Sequence, residues 1–164
     1  MASKQDSIPA RFALDDDPSV SRWFGRILVV CPECGGRAVN ISVENDFWSR
    51  RLLCEHCGYA RDWQTRSFSI CGTPIDPFTD VQLWLVIETS KGTLFAYNEE
   101  NLEALRAFVG AAHRERSRGD SGWANTGYFS RLPKWIKSRS NREMILQKID
   151  QLKSRAKAAG ESVP

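Results

Sequence analysis

The segment from residue 31 to residue 57, CPECGGRAVNISVENDFWSRRLLCEHC, begins and ends with a Cys-x-x-Cys pair. The pairs are separated by 19 residues, a spacing typical of four-cysteine zinc sites. Each turn can direct two sulfur atoms at one point, and two such turns complete a tetrahedron. The segment therefore predicts one zinc site with four ligands: Cys31, Cys34, Cys54 and Cys57.

Glycines follow both pairs, at Gly35, Gly36 and Gly58. They allow the chain to turn back with positive φ while backbone N–H groups face the sulfur atoms. Four thiolates around a divalent cation leave a charge of about −2, which Arg37 and Arg61 are expected to offset in part. Because the protein fills all four coordination positions, the predicted zinc is structural rather than catalytic.

Two other chemistries use paired cysteines. Disulfides need an oxidising compartment, whereas residues 1–10 have neither the basic start nor the apolar core of a signal peptide. A thioredoxin-like motif uses one Cys-x-x-Cys pair beside a βαβ unit, but this chain has two pairs among predicted strands. Zinc is therefore the favoured interpretation, and a reducing cytoplasm is the expected location.

The 164-residue chain has enough aromatic and aliphatic side chains for one domain or two small ones. No apolar run approaches the roughly 18 residues of a membrane span, so we expect no membrane association. Residues 1–99 contain 10 Lys/Arg and 13 Asp/Glu, whereas residues 100–164 contain 13 and 7. This asymmetry suggests that the second half meets a polyanion or an acidic partner.

Hydrophobic patterns predict an α+β fold: an amino-terminal four-cysteine zinc ribbon of antiparallel strands, then a β-hairpin and two helices. The alternation over residues 39–44 predicts a half-buried strand with Val39, Ile41 and Val43 on one face and Asn40 on the other. The predicted boundaries are a mobile acidic arm (1–21), the ribbon (22–70), a linker (71–80), the hairpin and helices (81–157) and a tail (158–164).

The first predicted helix begins at the N-cap Asn98 and ends in the basic run 114–118 before Gly119, with His113 in its last turn. The second begins near Ser140, which forms a capping box with Glu143. We expect four side chains to lie at the centre of the core: Trp84, Phe95, Leu105 and Ile145.

Several segments carry a resemblance: the cysteine pairs, Leu-Trp-Leu (83–85), Ala-Tyr-Asn (96–98), Arg-Leu-Pro-Lys-Trp-Ile-Lys-Ser (131–138) and Asn-Arg-Glu (141–143). Together they resemble a group of small bacterial proteins that contain a transcription-factor-IIB-type zinc ribbon, over about residues 25–153. The resemblance implies zinc in the ribbon and a bacterial cytoplasmic setting. It implies no reaction and no ligand, since one fold serves many functions.

The strongest functional signal is a basic run with nine Lys/Arg and two acidic residues over 131–157. Cations neutralise phosphates, and nearby aromatic residues (Trp123, Tyr128, Phe129) could stack on unpaired bases. This pattern favours nucleic-acid binding, although the same charges could simply solvate a surface. The predicted ligand-binding residues are Arg131, Lys134, Trp135, Lys137, Arg139 and Arg142.

The alternative is a protein-interaction module, an adaptor or inhibitor in which ribbon edges and the basic run dock an acidic protein partner. An enzyme is disfavoured because only His56 and His113 are available and no phosphate loop, nucleophile elbow or open metal triad is present. Cys71 has no neighbouring histidine and is expected to be inert. The sequence predicts no oligomeric state.

Overall fold

A computed structural model describes residues 11–13, 18–69, 72–115 and 127–158. The strands are β1 (Arg11–Ala13), β2 (Arg26–Val30), β3 (Arg37–Val43), β4 (Asp46–Cys54), β5 (Ala60–Gln64), β6 (Leu85–Glu88), β7 (Thr93–Ala96) and β8 (His113–Glu115). The helices are α1 (Glu99–Gly110), α2 (Lys134–Lys137) and α3 (Arg142–Ala158), with 3-10 turns at Val20–Trp23 and Arg139–Asn141. The predicted α+β class is confirmed.

Strands β2 to β5 form one antiparallel sheet in sequence order. The connection between β3 and β4 is the two-residue turn Glu44-Asn45, in which both residues have positive φ (55° and 59°). This geometry matches the twist of the flanking strands, and asparagine tolerates it well. An irregularity between Ser42 and Val43 then shifts the register, so that Cys54 lies opposite Ala38 at the far end of the sheet.

The second half of the chain hydrogen-bonds directly to the open edge of β2. Val30 N donates to Gln82 O (2.8 Å), Trp84 N to Leu28 O (3.0 Å) and Leu28 N to Tyr97 O (2.8 Å). Within the segment predicted as a linker, residues 76–78 are buried. The four-stranded sheet and the helical half therefore share backbone hydrogen bonds and one hydrophobic core.

Helices α1 and α3 cover the antiparallel pair β6–β7. Leu105 and Ile145 are fully buried, as predicted, whereas Trp84 and Phe95 are only partly buried. Two ion pairs join the helices, Arg106 to Asp150 (3.1 Å) and Lys153 to Glu103 (2.5 Å). No helix in the described part of the chain is long and apolar enough to cross a membrane.

The predicted orientation of β3 is wrong. Ala38 and Asn40 are buried, whereas Val39, Ile41 and Val43 are partly exposed. The inward face accepts a polar residue because the Asn40 side chain is hydrogen-bonded at both ends, to an arginine and to an aspartate. A buried amide with both groups paired costs little, so alternation of apolar residues did not identify the inward face here.

The predicted length of the first helix is also wrong at its carboxyl end. Asn98 caps α1 as expected, its side-chain oxygen accepting from Asn101 N (2.8 Å). The helix ends at Gly110, however, because Ala111 is extended (φ −63°, ψ 128°). Residues His113–Glu115 instead form β8, which pairs in parallel with β1. The basic residues from 116 onward lie outside the described residues.

Replacing Gly92 by alanine should destabilise the protein by about 2–4 kcal/mol. Gly92 has a φ of 154°, and a Cβ there would lie 3.1–3.2 Å from the Trp135 indole. The backbone strain alone is worth about 1–3 kcal/mol, and the indole must also move. Chemical denaturation measures the loss. Ser90→Ala, at an exposed position of the same turn, is the matched control; an equal effect in both would contradict the explanation.

Candidate metal centre

The two Cys-x-x-Cys turns have the same backbone hydrogen bonds. In the first, Cys31 N donates to Gly36 O (2.8 Å) and Gly35 N to Cys31 O (2.9 Å). In the second, Cys54 N donates to Tyr59 O (2.8 Å) and Gly58 N to Cys54 O (3.0 Å). The glycines at the fifth position have φ of 72° and 77°, which other residues rarely adopt.

The turns face each other and bring the four sulfur atoms together. All four Sγ atoms lie within 4.8 Å of one another. Cys31 Sγ lies 3.6 Å from Cys57 Sγ, and Cys34 Sγ lies 3.6 Å from Cys54 Sγ. Metal–sulfur bonds of about 2.3 Å in a regular tetrahedron place sulfur atoms about 3.8 Å apart. The spacing of the thiols therefore fits a tetrahedral metal ion.

Backbone N–H groups also face the sulfur atoms. Gly36 N lies 3.4 Å from Cys34 Sγ, and a Cβ on Gly36 would lie 3.3 Å from the same atom. Desolvation opposes ionisation of Cys31, but the N–H groups of Cys34 and Glu33 and the neighbouring thiols lower its pKa to about 7. Such N–H groups stabilise thiolate, which is the form that binds metal.

Cys57 is the cysteine of the cluster whose thiol is hardest to ionise. The Tyr59 N–H favours the Cys57 thiolate, but desolvation and the three neighbouring cysteines raise the pKa of Cys57 to about 12. Four negative charges cannot accumulate in this volume without a compensating cation. The donor set thus suits a soft divalent ion, and tetrahedral sulfur coordination is typical of zinc or iron.

The cluster lies at the end of the sheet, half covered by protein. Cys31 (1% exposed) and Cys54 (4%) belong to the core, whereas Cys34 and Cys57 are exposed. A metal here would hold together the turns that follow β2 and β4, and it would remain close to solvent. The four predicted metal ligands are brought together, and they define this part of the chain as a metal-binding module.

The two arginines expected near the metal have other partners. Arg37 donates to Ala156 O at the carboxyl end of α3 (3.3 Å) and lies 3.8 Å from Glu55. Arg61 packs over the ring of Trp63, 4.6 Å from its centre. Arg37 therefore connects the cysteine cluster to the last helix.

Three of the predicted ligand-binding cations donate to backbone carbonyls. Lys137 Nζ binds Ser130 O (3.0 Å), and Arg142 binds Ala111 O (3.0 Å) just beyond α1. Arg139 makes a longer contact with Ala112 O (3.5 Å). Arginines at a helix carboxyl terminus stabilise its dipole and unpaired carbonyls, so Arg139 and Arg142 stabilise the end of α1.

The other three predicted residues lie around α2. Arg131 and Lys134 are exposed, and Trp135 is partly exposed against the turn between β6 and β7. That turn also carries Lys91, whose side chain is exposed beside Gly92. The structure thus adds a cation from a distant part of the sequence to this surface.

Two of the aromatic residues that were considered for base stacking pack against other rings. Tyr128 packs edge-on against Trp23 (4.7 Å between ring centres), and Phe129 stacks on Phe108 (4.8 Å). Phe129 is buried, and Tyr128 is only partly exposed. Trp123 lies outside the described residues, as does Cys71.

Sequence analysis missed a buried polar network on the inward face of the four-stranded sheet. Arg50 is fully buried and donates to Asn40 Oδ1 (3.0 Å) and Phe24 O (2.5 Å). Asn40 in turn donates to Asp76 (2.5 Å). Burial lowers the pKa of Arg50, and the charge of Asp76 opposes that shift. The sequence contained one indication of this burial. Arg50 lies four residues before Cys54 on the same strand, so its side chain is on the same face of the sheet as that predicted ligand.

Comparison with protein-family models, with curated proteins and with solved structures finds no match for this chain. The class of the protein, a four-cysteine metal-binding module, therefore follows from the geometry of its own residues.

Proposed function

We propose that this chain is a non-enzymatic, zinc-stabilised ribbon protein of the cytoplasm that binds nucleic acid through the helical half. The observation that carries the proposal is an exposed cationic surface formed by Lys91, Arg131, Lys134 and Arg139 around the partly exposed Trp135. We call these five residues the α2 surface. They come from the β6–β7 turn, from α2 and from the segments beside it.

Zinc is the metal favoured for the cluster. Four protein sulfur ligands in a closed tetrahedron are the usual structural zinc site, and zinc needs no redox partner. Small sheets bury too little apolar surface to be stable alone, so metal binding would supply folding free energy. The closed ligand set leaves no position for a substrate, which supports a binding protein rather than a metalloenzyme.

The acidic side chains of the helical half support the nucleic-acid proposal because most are already paired. Glu103 binds Lys153, and Asp150 binds Arg106. At the start of α1, Glu99 binds Arg26 (2.8 Å) and Glu100 lies 3.8 Å from Arg22. These four acids are therefore already engaged, and Glu88 and Glu143 are the exposed acids of the described residues that lie nearest to the α2 surface along the chain.

Such a surface suits the phosphate backbone rather than base edges. The exposed cations can neutralise phosphates, whereas α2, the helix of this surface, has only four residues and is too short to read a major groove. Trp135, with part of its indole exposed, is the one aromatic residue of the surface that could contact a base. We therefore expect binding with weak sequence preference and steep salt dependence.

Reversing two charges of the α2 surface tests the proposal. Lys91→Glu with Lys134→Glu should weaken binding to single-stranded RNA and DNA by tenfold or more and lower the salt slope by about two phosphate contacts. Both side chains are exposed, and neither belongs to the hydrophobic core, so the melting temperature should change little. Fluorescence anisotropy over a salt series measures both quantities.

The matched control reverses two exposed or half-exposed lysines on α3, Lys148→Glu with Lys157→Glu. The change in net charge is the same, but Lys157 lies 15 residues beyond Arg142, about 22 Å along the helix. Equal losses in both variants would show that only net charge matters and would refute a localised site. Absence of wild-type binding at low salt would refute the proposal altogether.

A second candidate function rests on β5. Among the described strands β5 pairs with β4 alone, and Ala60, Arg61, Asp62 and Gln64 are exposed. An open edge strand can accept a strand from another protein. Exposed Arg61 would favour an acidic partner.

The test of this alternative uses poly-glutamate as the acidic probe. Arg61→Glu with Arg66→Glu should weaken binding of poly-glutamate severalfold more than the α3 control does. Equal binding by both variants would contradict an acidic partner at β5.

A further inference from the structure

The four sulfur atoms of the cysteine cluster differ in their access to solvent. Cys31 and Cys54 are buried, whereas Cys34 and Cys57 are exposed. The exposed positions are the second cysteines of the two turns, so each turn presents one sulfur to solvent and keeps one in the core. Because the oxidation of a thiolate follows its exposure, a dissolved oxidant reaches Cys34 and Cys57 first.

Each exposed sulfur also lies close to a buried sulfur of the opposite turn. Cys57 Sγ is 3.6 Å from Cys31 Sγ, and Cys34 Sγ is 3.6 Å from Cys54 Sγ. A disulfide bond is about 2 Å long, so the two sulfur atoms of each pair need to approach by only about 1.5 Å. Each pair thus combines a thiol that an oxidant can reach with a second thiol that can react with the oxidised one.

The four-stranded sheet holds the two turns in this arrangement. The first turn follows β2 and the second follows β4, and β3 pairs with both of these strands. The cysteines of the two pairs are 26 and 20 residues apart in the sequence. In an unfolded chain, loop closure favours the nearer thiol within each Cys-x-x-Cys turn. Pairing between the turns is therefore a property of the folded sheet.

We propose that the cysteine cluster is a site of oxidation by hydrogen peroxide, at which two disulfides between the turns, Cys31–Cys57 and Cys34–Cys54, take the place of the metal. The inference rests on the proposed zinc occupancy and is independent of nucleic-acid binding. In a reducing compartment such disulfides are transient and report oxidising conditions.

The reaction begins at an exposed sulfur. The thiolate of Cys34 or Cys57 attacks one oxygen of hydrogen peroxide, the O–O bond breaks, and a sulfenic acid forms while hydroxide leaves as water. The buried thiol at 3.6 Å then attacks the sulfenic sulfur, which forms the disulfide and releases a second water.

Each disulfide gives two electrons to one peroxide. The whole cluster therefore consumes two peroxides and takes up four protons, and four water molecules leave. No thiolate then remains to bind a cation, so one Zn²⁺ is released per chain. The disulfides join the same two turns that the metal would join, and such cross-links restrict the unfolded chain. We therefore expect the oxidised, zinc-free chain to stay folded.

Peptide mapping of the zinc-loaded full chain after peroxide treatment tests the pairing. Trypsin yields the peptides 27–37 and 52–61, each of which contains one Cys-x-x-Cys pair. Disulfides between the turns link these two peptides, whereas disulfides within the turns leave them separate. Further cleavage after Glu33 and Glu55 separates the two cysteines of each pair.

The second cleavage distinguishes the two possible connectivities between the turns. We expect the fragment 27–33 to be linked to 56–61, and the fragment 34–37 to 52–55. In the same samples a chelating dye measures zinc and far-ultraviolet circular dichroism follows the strands. Release of one zinc per chain should parallel the formation of the linked fragments, and the strand signal should persist.

The matched control is the same chain oxidised without metal in guanidinium chloride, where pairing within the turns should increase. From the folded chain, disulfides within the turns, a link to the Cys71 peptide 67–91, or sulfinic acids without disulfides would overturn the proposal. Loss of the strand signal on oxidation would contradict the expected replacement of the metal. Absence of zinc before peroxide is added would instead refute the proposed zinc occupancy.

Discussion

Replacing Cys54 by serine should release the metal and unfold the four-stranded sheet. Cys54 is the last residue of β4, is 4% exposed and lies 3.6 Å from Cys34 Sγ. Its loss breaks the tetrahedron and leaves three thiols crowded in a half-buried space. Structural zinc contributes about 10–16 kcal/mol of apparent binding free energy in small zinc domains, more than the stability of a typical domain.

Elemental analysis of the purified protein and far-ultraviolet circular dichroism check this result. We expect one zinc per wild-type chain, much less than one per Cys54→Ser chain, and loss of the strand signal. Cys71→Ser is the control, because that thiol lies outside both Cys-x-x-Cys pairs and should retain full zinc. A Cys54→Ser protein that keeps both its zinc and its fold would contradict the assignment.

Replacing Asp76 by alanine should cost about 3–5 kcal/mol, the range for leaving a buried charge without its counter-charge, because Asn40 connects Asp76 to the buried Arg50. Asp76 is fully buried and accepts from Asn40, from Phe78 N (2.9 Å) and from Thr79 (2.8 Å). Without it the guanidinium of Arg50 stays buried, with no carboxylate to balance it. Denaturant unfolding measures the loss.

Arg50 itself provides the matched comparison. Its guanidinium packs over the Phe78 ring (4.3 Å), so Arg50→Met keeps most of the packing and removes the charge. Adding Arg50→Met to Asp76→Ala should recover part of the lost stability, because no buried charge then lacks a partner. Additive losses in the double variant would show that the two side chains act independently.

The cysteine site was predictable because its determinants are local. Each pair of ligands lies within one turn, and the glycines with positive φ follow in the same turn. The 19-residue separation then matches the spacing of four-cysteine sites, in which two such turns meet. The N-cap of α1 was predictable for the same reason, since Asn98 accepts from a residue only three positions ahead.

The polar network was not predictable because its members are distant in sequence. Asn40 and Asp76 are 36 residues apart, and Arg50 reaches a carbonyl 26 residues away. An asparagine that alternates with valines is typical of a solvated face, and only its partners make it an inward residue. The face of β3 that points into the core could therefore not be predicted without knowledge of these partners.

The basic run shows a related difficulty. Cations are favoured at helix carboxyl termini, so the run after Ala112 was interpreted as the last turn of α1. The end of α1 does meet arginines, but they are Arg139 and Arg142, 27 and 31 residues beyond the carbonyls that they bind. Composition identifies the charge, whereas the fold decides which cations stabilise the protein and which remain exposed.

X-ray absorption at the zinc edge tests the central claim most directly. For the purified full chain we predict a single shell of four sulfur atoms at about 2.3 Å, with no nitrogen or oxygen neighbour. That result would establish the tetrahedron formed by the two Cys-x-x-Cys turns. A shell containing nitrogen or oxygen, or a protein that folds without any bound metal, would contradict it.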